Sequence, residues 1–114
     1  MDVLIPVPWK NDVCAVLKKG DSDKIVVKID TAQLTWQAAF PNDTRFDLFD
    51  TLADALSKGE MNGRNITNMR EPGEIYEFLF SRDSRLFVGK INLCPDRQSV
   101  IIYSAHISLK GQKL

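Results

Sequence analysis

Residues 74–107 read EIYEFLFSRDSRLFVGKINLCPDRQSVIIYSAHI, and this stretch decides the fold. It contains three runs rich in aromatic and β-branched residues, which is typical of strands: Ile75–Phe80, Leu86–Leu93 and Ser99–Ile107. Two clusters of turn-forming residues separate these runs: Arg82–Arg85 and Cys94–Arg97. The sequence therefore predicts a three-stranded antiparallel meander in the last third of the chain.

The alternation of side chains predicts what each face of this meander carries, because successive strand residues point to opposite faces. One predicted face is almost entirely apolar, and we expect helices to cover it. Its members are Tyr76, Phe78, Phe80, Phe87, Gly89, Ile91, Leu93, Ile101, Tyr103, Ala105 and Ile107. The opposite face is mixed in character, and on it the first turn predicts that Glu77 lies opposite Lys90. Its polar members are Glu77, Lys90, Asn92, Ser104 and His106.

The first third of the chain predicts a hairpin followed by a helix. Val13–Leu17 and Ile25–Ile29 are strand candidates, and the turn residues Gly20–Asp23 lie between them. Thr31 is a candidate N-cap for a helix that reaches about Phe40, where a proline follows.

A second helix is predicted more clearly. Thr44 is its candidate N-cap, and Asp47 lies three residues later, where an acidic side chain suits the helix dipole. Its apolar stripe consists of Phe46, Phe49, Leu52, Ala53 and Leu56. Gly59 suits the end of this helix, and the polar segment 60–73 predicts a long loop.

Together these elements predict one domain of the α+β class that spans residues 1–114. It comprises an N-terminal hairpin, two helices and a three-stranded antiparallel meander, with the helices packed on one face. A chain of 114 residues that is 44% hydrophobic is sufficient for one buried core.

Charge and cysteine content narrow the class of function. The net charge is zero, with an excess of three acidic groups in residues 1–57 and of three basic groups in residues 58–114. The basic half favours a polyanionic ligand, whereas the overall neutrality argues against strong nonspecific binding to nucleic acid. Cys14 and Cys94 match no zinc spacing, and a single histidine excludes a multi-histidine metal site. We therefore expect no metal and no cofactor.

The chain carries no signal for a membrane. No apolar stretch approaches the roughly 20 residues that span a bilayer. The acidic start, with an early proline, lacks the basic and apolar regions of a signal peptide. We expect a cytoplasmic location, no membrane partner and reduced cysteines.

His106 is the leading candidate for chemistry, because the unperturbed pKa of histidine lies nearest neutrality. We expect it at the first-turn end of the meander, close to a group of polar and basic side chains. These are Arg82, Arg85, Ser104, Lys110 and Lys113. Such a group is suited to bind a phosphodiester and to transfer protons.

Residues 74–113, which contain the string EIYEFLFSRDSRLFVGKINLCPDRQSVIIYSAHISLKG, resemble the end of the small bacterial ribonuclease toxins. These are the RelE, MqsR and colicin-type nucleases that share the barnase-like fold. The strings RLFVGKINL and SVIIYSAH are similar to the closing strands of the MqsR-like branch. The resemblance implies an endoribonuclease toxin that cleaves RNA without a metal, in which Lys90, His106 and Arg85 have counterparts.

The mechanism expected from this resemblance is general acid–base catalysis. A base removes the ribose 2′-OH proton, the oxygen attacks the phosphate, and an acid protonates the 5′ leaving oxygen. His106 is the expected acid or base, and Glu77 is its counterpart only if the sheet brings the two closer than the expected register implies. The developing phosphorane charge is expected to be stabilised by Arg82, Arg85 and Lys90.

A second interpretation is a non-enzymatic immunity or antitoxin protein that neutralises a basic bacterial toxin. The acidic residues of the first half support it, since electrostatic complementarity speeds association. They are Asp21, Asp23, Asp30, Asp43, Asp47, Asp50 and Asp54. The expected partners are thus an RNA substrate together with a cognate antitoxin, or a cognate toxin.

Overall fold

The computed structural model describes residues 2–108. Within them, a six-stranded mixed sheet is combined with three α-helices and one π-helical turn. In chain order these are β1 (Asp2–Leu4), α1 (Val7–Lys19), β2 (Ile25–Val27), the π-helical turn (Ile29–Gln33), α2 (Leu34–Ala39), α3 (Arg45–Leu56), β3 (Asn62–Ile66), β4 (Glu74–Arg82), β5 (Arg85–Leu93) and β6 (Val100–Ile107). The strand order is β1-β3-β4-β5-β6-β2, and every neighbouring pair is antiparallel except β2 and β6. The α+β class is confirmed.

The predicted meander is present as β4, β5 and β6. Glu77 lies opposite Lys90, as the first turn predicts. At the tip of that turn Asp83 and Ser84 both have positive φ, 53° and 64°, which matches the right-handed twist of the flanking strands. The turn therefore sets the register that the sequence implied.

The core lies between the sheet and the helices. Four aromatic side chains form its centre, with Trp36 in contact with Phe40 and Phe87, and Phe80 stacked on Phe87 at 5.6 Å between ring centroids. Aromatic side chains contribute the largest apolar areas to a core, so this cluster fixes α2 on the sheet. The prediction that helices cover the aromatic face of the meander is therefore correct.

The predicted N-terminal hairpin is wrong, because Val13–Leu17 belongs to α1. Trp9, Val13 and Leu17 recur every four residues, and all three are buried. That spacing forms one helix face, and a short apolar run alone does not distinguish it from a strand. Gly20 ends the helix in the left-handed conformation, with φ 68°.

The strands β2 and β3 also differ from the prediction, the first in its pairing and the second in its presence. Ile25–Val27 is a strand, but it pairs in parallel with β6 rather than in a hairpin. The segment predicted as a loop contains β3, which lies between β1 and β4. Its Gly63 is required there, since a Cβ would lie 2.6 Å from Ile5 Cδ1 and 2.7 Å from the Glu77 carbonyl oxygen.

Thr31 does not cap a helix as predicted. Its hydroxyl donates to the carbonyl of Tyr103, and the Thr35 hydroxyl donates to the carbonyl of Ala105 at 2.9 Å. These carbonyls lie on the part of β6 beyond its pairing with β2. The two hydroxyls therefore satisfy a strand edge that would otherwise be open, and they position α2 beside it.

The helix predicted after Thr44 is confirmed as α3. Thr44 and Asp47 form a reciprocal capping box, with the Thr44 amide donating to Asp47 Oδ2 at 2.7 Å. Phe49, Leu52, Ala53 and Leu56 are buried, whereas Phe46 is exposed, contrary to its predicted place in the core stripe.

A β-bulge corrects the predicted faces of the third strand. Lys90 lies opposite Ser104, but the next residue of β5, Ile91, lies opposite Ile102. Tyr103 is thus an extra residue, and the alternation shifts by one position. Val100 and Ile102 consequently enter the core, while Ile101 and Tyr103, which we predicted there, do not belong to the core cluster.

Arg82 joins the loop before α3 to the sheet. Its guanidinium donates to Asp43 Oδ2 at 2.5 Å and to Oδ1 at 3.2 Å, and it lies 4.0 Å from the Phe40 ring centroid. Trp36 Nε1 also donates to Asp43 Oδ2. These bonds, the one from Arg82 above all, lower the pKa of Asp43.

We predict that Asp43→Asn makes the protein less stable at neutral pH and less sensitive to acid. The pKa of Asp43 is lower in the folded state than its unfolded value of about 4, so the ionised carboxylate stabilises the fold above about pH 4. This stabilisation is lost as the pH falls through the folded-state pKa. Urea unfolding between pH 7 and pH 2.5 measures it. Asp50→Asn, at an exposed position of α3, is the matched control. Equal acid sensitivity of Asp43→Asn and Asp50→Asn would contradict the assignment.

Candidate functional site

The sheet face opposite the helices, here called the outer face, carries a row of charged and polar residues across four strands. Arg64 of β3 lies opposite Glu77 of β4, Glu77 opposite Lys90 of β5, and Lys90 opposite Ser104 of β6. His106 lies on the same face, two residues further along β6 and opposite Val88. Of the polar residues predicted for this face, the structure therefore brings Glu77, Lys90, Ser104 and His106 together.

His106 is half-buried near the first-turn end of the sheet, as we expected from the sequence. Its Nδ1 lies 3.1 Å from the carbonyl oxygen of Ile107. Within residues 2–108 its imidazole forms no ion pair with a carboxylate. The nearest cationic position in the register is Lys90, one row away on β5.

We expected Arg82 and Arg85 to lie beside His106, but the structure places them elsewhere. Both lie on the helix-covered face, where Arg82 binds Asp43 and the Arg85 guanidinium lies 4.7 Å from the Phe40 ring centroid. The sequence contained this information for Arg82, because its even number places it on the same face as Phe80. Lys110 and Lys113 lie outside the described residues.

Arg64 is the residue of this face that the sequence analysis missed. Its Nη1 lies 3.6 Å from Glu77 Oε1, and its Nε lies 4.0 Å from an Asp2 oxygen. No motif marks it, because it lies in a segment whose polar composition predicted a loop. Its contact orients the Glu77 carboxylate along the row, where the sequence had suggested Lys90 as the ionic partner.

A connecting segment, residues 67–73 and here called the strap, is tied to the outer face. Tyr103 Oη donates to Glu71 Oε1 at 2.5 Å, and Asn92 Nδ2 donates to the Pro72 carbonyl oxygen at 3.0 Å. Burial, followed by the bond to Glu71, raises the pKa of Tyr103 to about 12. Tyr103 is therefore a neutral hydrogen-bond donor at ordinary pH, and this bond holds the strap in place.

Asn92 packs closely against the strap and leaves no space for a side chain at Gly73. It is fully buried, and its Oδ1 has no hydrogen-bond partner among residues 2–108. A Cβ at Gly73 would lie 2.0 Å from that oxygen and 2.6 Å from the Leu93 carbonyl oxygen. Gly73 also has φ 134°, so both its conformation and its surroundings require glycine.

A groove of about 620 Å³ lies away from the outer face, between α1 and the end of α3. Lys10 donates to the Gly59 carbonyl oxygen at 2.6 Å there, and the Cys14 thiol donates to the Ala53 carbonyl oxygen at 3.5 Å. Burial raises the pKa of Cys14, which makes it a poor nucleophile. Cys14 and Cys94 are both free thiols.

Within residues 2–108, no three His, Cys, Asp or Glu side chains converge as a metal site would require, and no helix has the length and apolarity to cross a bilayer. Comparison with protein-family models, curated proteins and solved structures found no match to this chain.

We predict that Gly73→Ala destabilises the protein by roughly 2–4 kcal/mol, since a strained backbone and a steric clash each cost on the order of 1–3 kcal/mol. Gly59→Ala is the matched control, because Gly59 also has a positive φ, 111°, but a Cβ there meets nothing within 4 Å. Chemical denaturation measures both variants. An equal loss of stability in the two would show that Asn92 does not constrain the strap.

Proposed function

We propose that this protein is a metal-independent endoribonuclease of the toxin type and that it cleaves RNA on the outer face. One observation carries the proposal: on the face that the helices leave uncovered, Lys90 lies directly opposite Glu77 and diagonally across from His106, which is two residues beyond Ser104 on β6. A carboxylate, an ammonium group and an imidazole in this order match the base, charge stabiliser and acid of RNA transesterification.

The separation of the two proton-transferring groups fits a phosphodiester between them. Glu77 and His106 are two strand spacings and two residues apart, which corresponds to roughly 12 Å between their Cα atoms. Side chains that converge from that distance leave space for one phosphate above Lys90. In this arrangement Glu77, oriented by Arg64, accepts the 2′-OH proton, and His106 protonates the 5′ leaving oxygen.

Of the three charge stabilisers expected from the sequence, Arg82, Arg85 and Lys90, only Lys90 lies on the outer face. Arg82 is bound to Asp43 on the other face, so the phosphorane charge falls to Lys90. Ser104 lies opposite Lys90 but is buried, so we assign it no contact with the substrate. Of the three residues that have counterparts in the ribonuclease toxins, Lys90 and His106 lie on the outer face, whereas Arg85 lies on the helix-covered face.

A second candidate function is neutralisation of a basic toxin. The observation in its favour is an acidic stripe on α3, formed by Asp47, Asp50 and Asp54 at i, i+3 and i+7. All three are exposed. Asp47 is engaged in the capping box and Asp54 lies 3.4 Å from Lys58, so Asp50 is the acid of this stripe with neither contact.

We predict that purified protein cleaves single-stranded RNA in the presence of EDTA and that His106→Ala and Glu77→Gln each lower the rate by roughly 10²–10⁴-fold. Each substitution removes one of the two proton-transferring groups. Cleavage of a labelled oligoribonucleotide, followed on denaturing gels, measures the rate.

Lys90→Gln and Arg85→Gln form the matched pair for the location of the site. The first removes a cation from the outer face and is expected to reduce the rate, whereas the second removes one from the helix-covered face and is expected to leave it close to wild type. Full activity of His106→Ala, or an Arg85→Gln loss equal to that of Lys90→Gln, would contradict the site. If the wild-type protein leaves the RNA intact in this assay and its expression does not harm bacteria, the second candidate function, neutralisation of a basic toxin through the acidic stripe of α3, is favoured.

A further inference from the structure

In the part of the chain that the structure describes, two lysines on the outer face lack a carboxylate partner. Lys90 is the central residue of the row, and Lys28 follows the edge strand β2, where the alternation places it on the same face as Val26. Within residues 2–108 neither lysine forms an ion pair within 4.0 Å. Arg64, by contrast, shares its charge with Asp2 and Glu77.

The two ammonium groups meet at one aromatic ring. Lys28 Nζ lies 5.9 Å and Lys90 Nζ 6.0 Å from the centroid of Tyr103, so the two nitrogens are at most about 12 Å apart. The bulge and the hydroxyl bond to Glu71 fix this ring on the outer face. Glu71 is the carboxylate nearest to the ring hydroxyl, and it forms no ion pair with either lysine.

This arrangement favours a bound anion. Two like charges without an ion-pair partner repel one another when they lie near the same ring, and bound anions offset that repulsion. Tyr103 is buried, so its ring supports the two lysine side chains and leaves the ammonium groups to contact a ligand. A phosphate is the anion that ammonium groups commonly bind in proteins.

We infer that Lys28, beside Tyr103, binds the RNA phosphate adjacent to the scissile one, which the proposed function assigns to Lys90. This inference rests on the proposed function, because the position of Lys90 defines where the scissile phosphate lies. Lys28 lies across β6 from Lys90, at roughly two strand spacings or 10 Å. The substrate must therefore extend at least one nucleotide beyond the cleaved bond on the β2 side of the sheet. Arg64, Lys90 and Lys28 then mark the course of a single strand across the sheet.

The experiment uses 2′-O-methyl hexaribonucleotides, which bind but are not cleaved because the attacking hydroxyl is blocked. We predict that Lys28→Gln weakens binding several-fold at low salt and lowers the slope of log K against log salt by about 0.7, the value for one phosphate contact on a single strand. Lys18→Gln, an exposed position of α1, is the matched control and is expected to bind like wild type. Fluorescence anisotropy over a salt series measures both.

A substrate comparison separates this subsite from catalysis. Lys28→Gln should lower kcat/KM for a hexamer but not for a dinucleoside monophosphate, which has no adjacent phosphate. If the wild-type protein binds the hexamer in a Lys28-dependent manner but does not cleave RNA, the nuclease proposal is contradicted and the Lys28 phosphate site is supported. Wild-type binding by Lys28→Gln, or failure of the wild type to bind the hexamer, would overturn the subsite. Lys28-dependent binding of inorganic phosphate without hexamer binding would show a site for free phosphate and would overturn the RNA assignment.

Discussion

The β-bulge at Tyr103 is the constraint on which the rest of the structure depends. One extra residue in β6 shifts the alternation, so that Ile102 enters the core while Tyr103 and the next residue, Ser104, both lie on the outer face. Without the bulge, the same strand would direct Ile102 to the outer face and Tyr103 towards the helices. The bulge thus reconciles an almost wholly apolar segment with a sheet that has one polar face.

The consequences of the bulge extend to both sides of the sheet. On the outer face the Tyr103 hydroxyl holds Glu71 and so fixes the strap, and its ring lies beneath Lys28 and Lys90. At the strand edge, the carbonyl of Tyr103 accepts from the Thr31 hydroxyl, which positions the π-helical turn. A single irregular residue therefore connects the core, the edge and the proposed site, which is the usual use of bulges next to functional residues.

Local patterns predicted part of this fold. The meander and α3 followed from strand alternation and from the capping box, because each of these signals is complete within a few residues. Val13–Leu17 was misassigned because a short apolar run fits either a strand or a helix face. The strand β3 was missed because Asn62–Ile66 contains few β-forming residues, and its pairing with β1 and β4 is a tertiary effect. Alternation also placed His106 correctly, but nothing in the sequence marked the bulge, Arg64 or the approach of Lys28.

The pairing of β5 with β6 is the most direct test of this account, and NMR contacts between backbone protons across the two strands measure it. The account predicts that Lys90 lies opposite Ser104 and that Ile91 lies opposite Ile102, with Tyr103 left out of the ladder. An uninterrupted ladder with Ile91 opposite Tyr103 would contradict it, because Tyr103 would then point into the core and the outer face would lose both its ring and its strap.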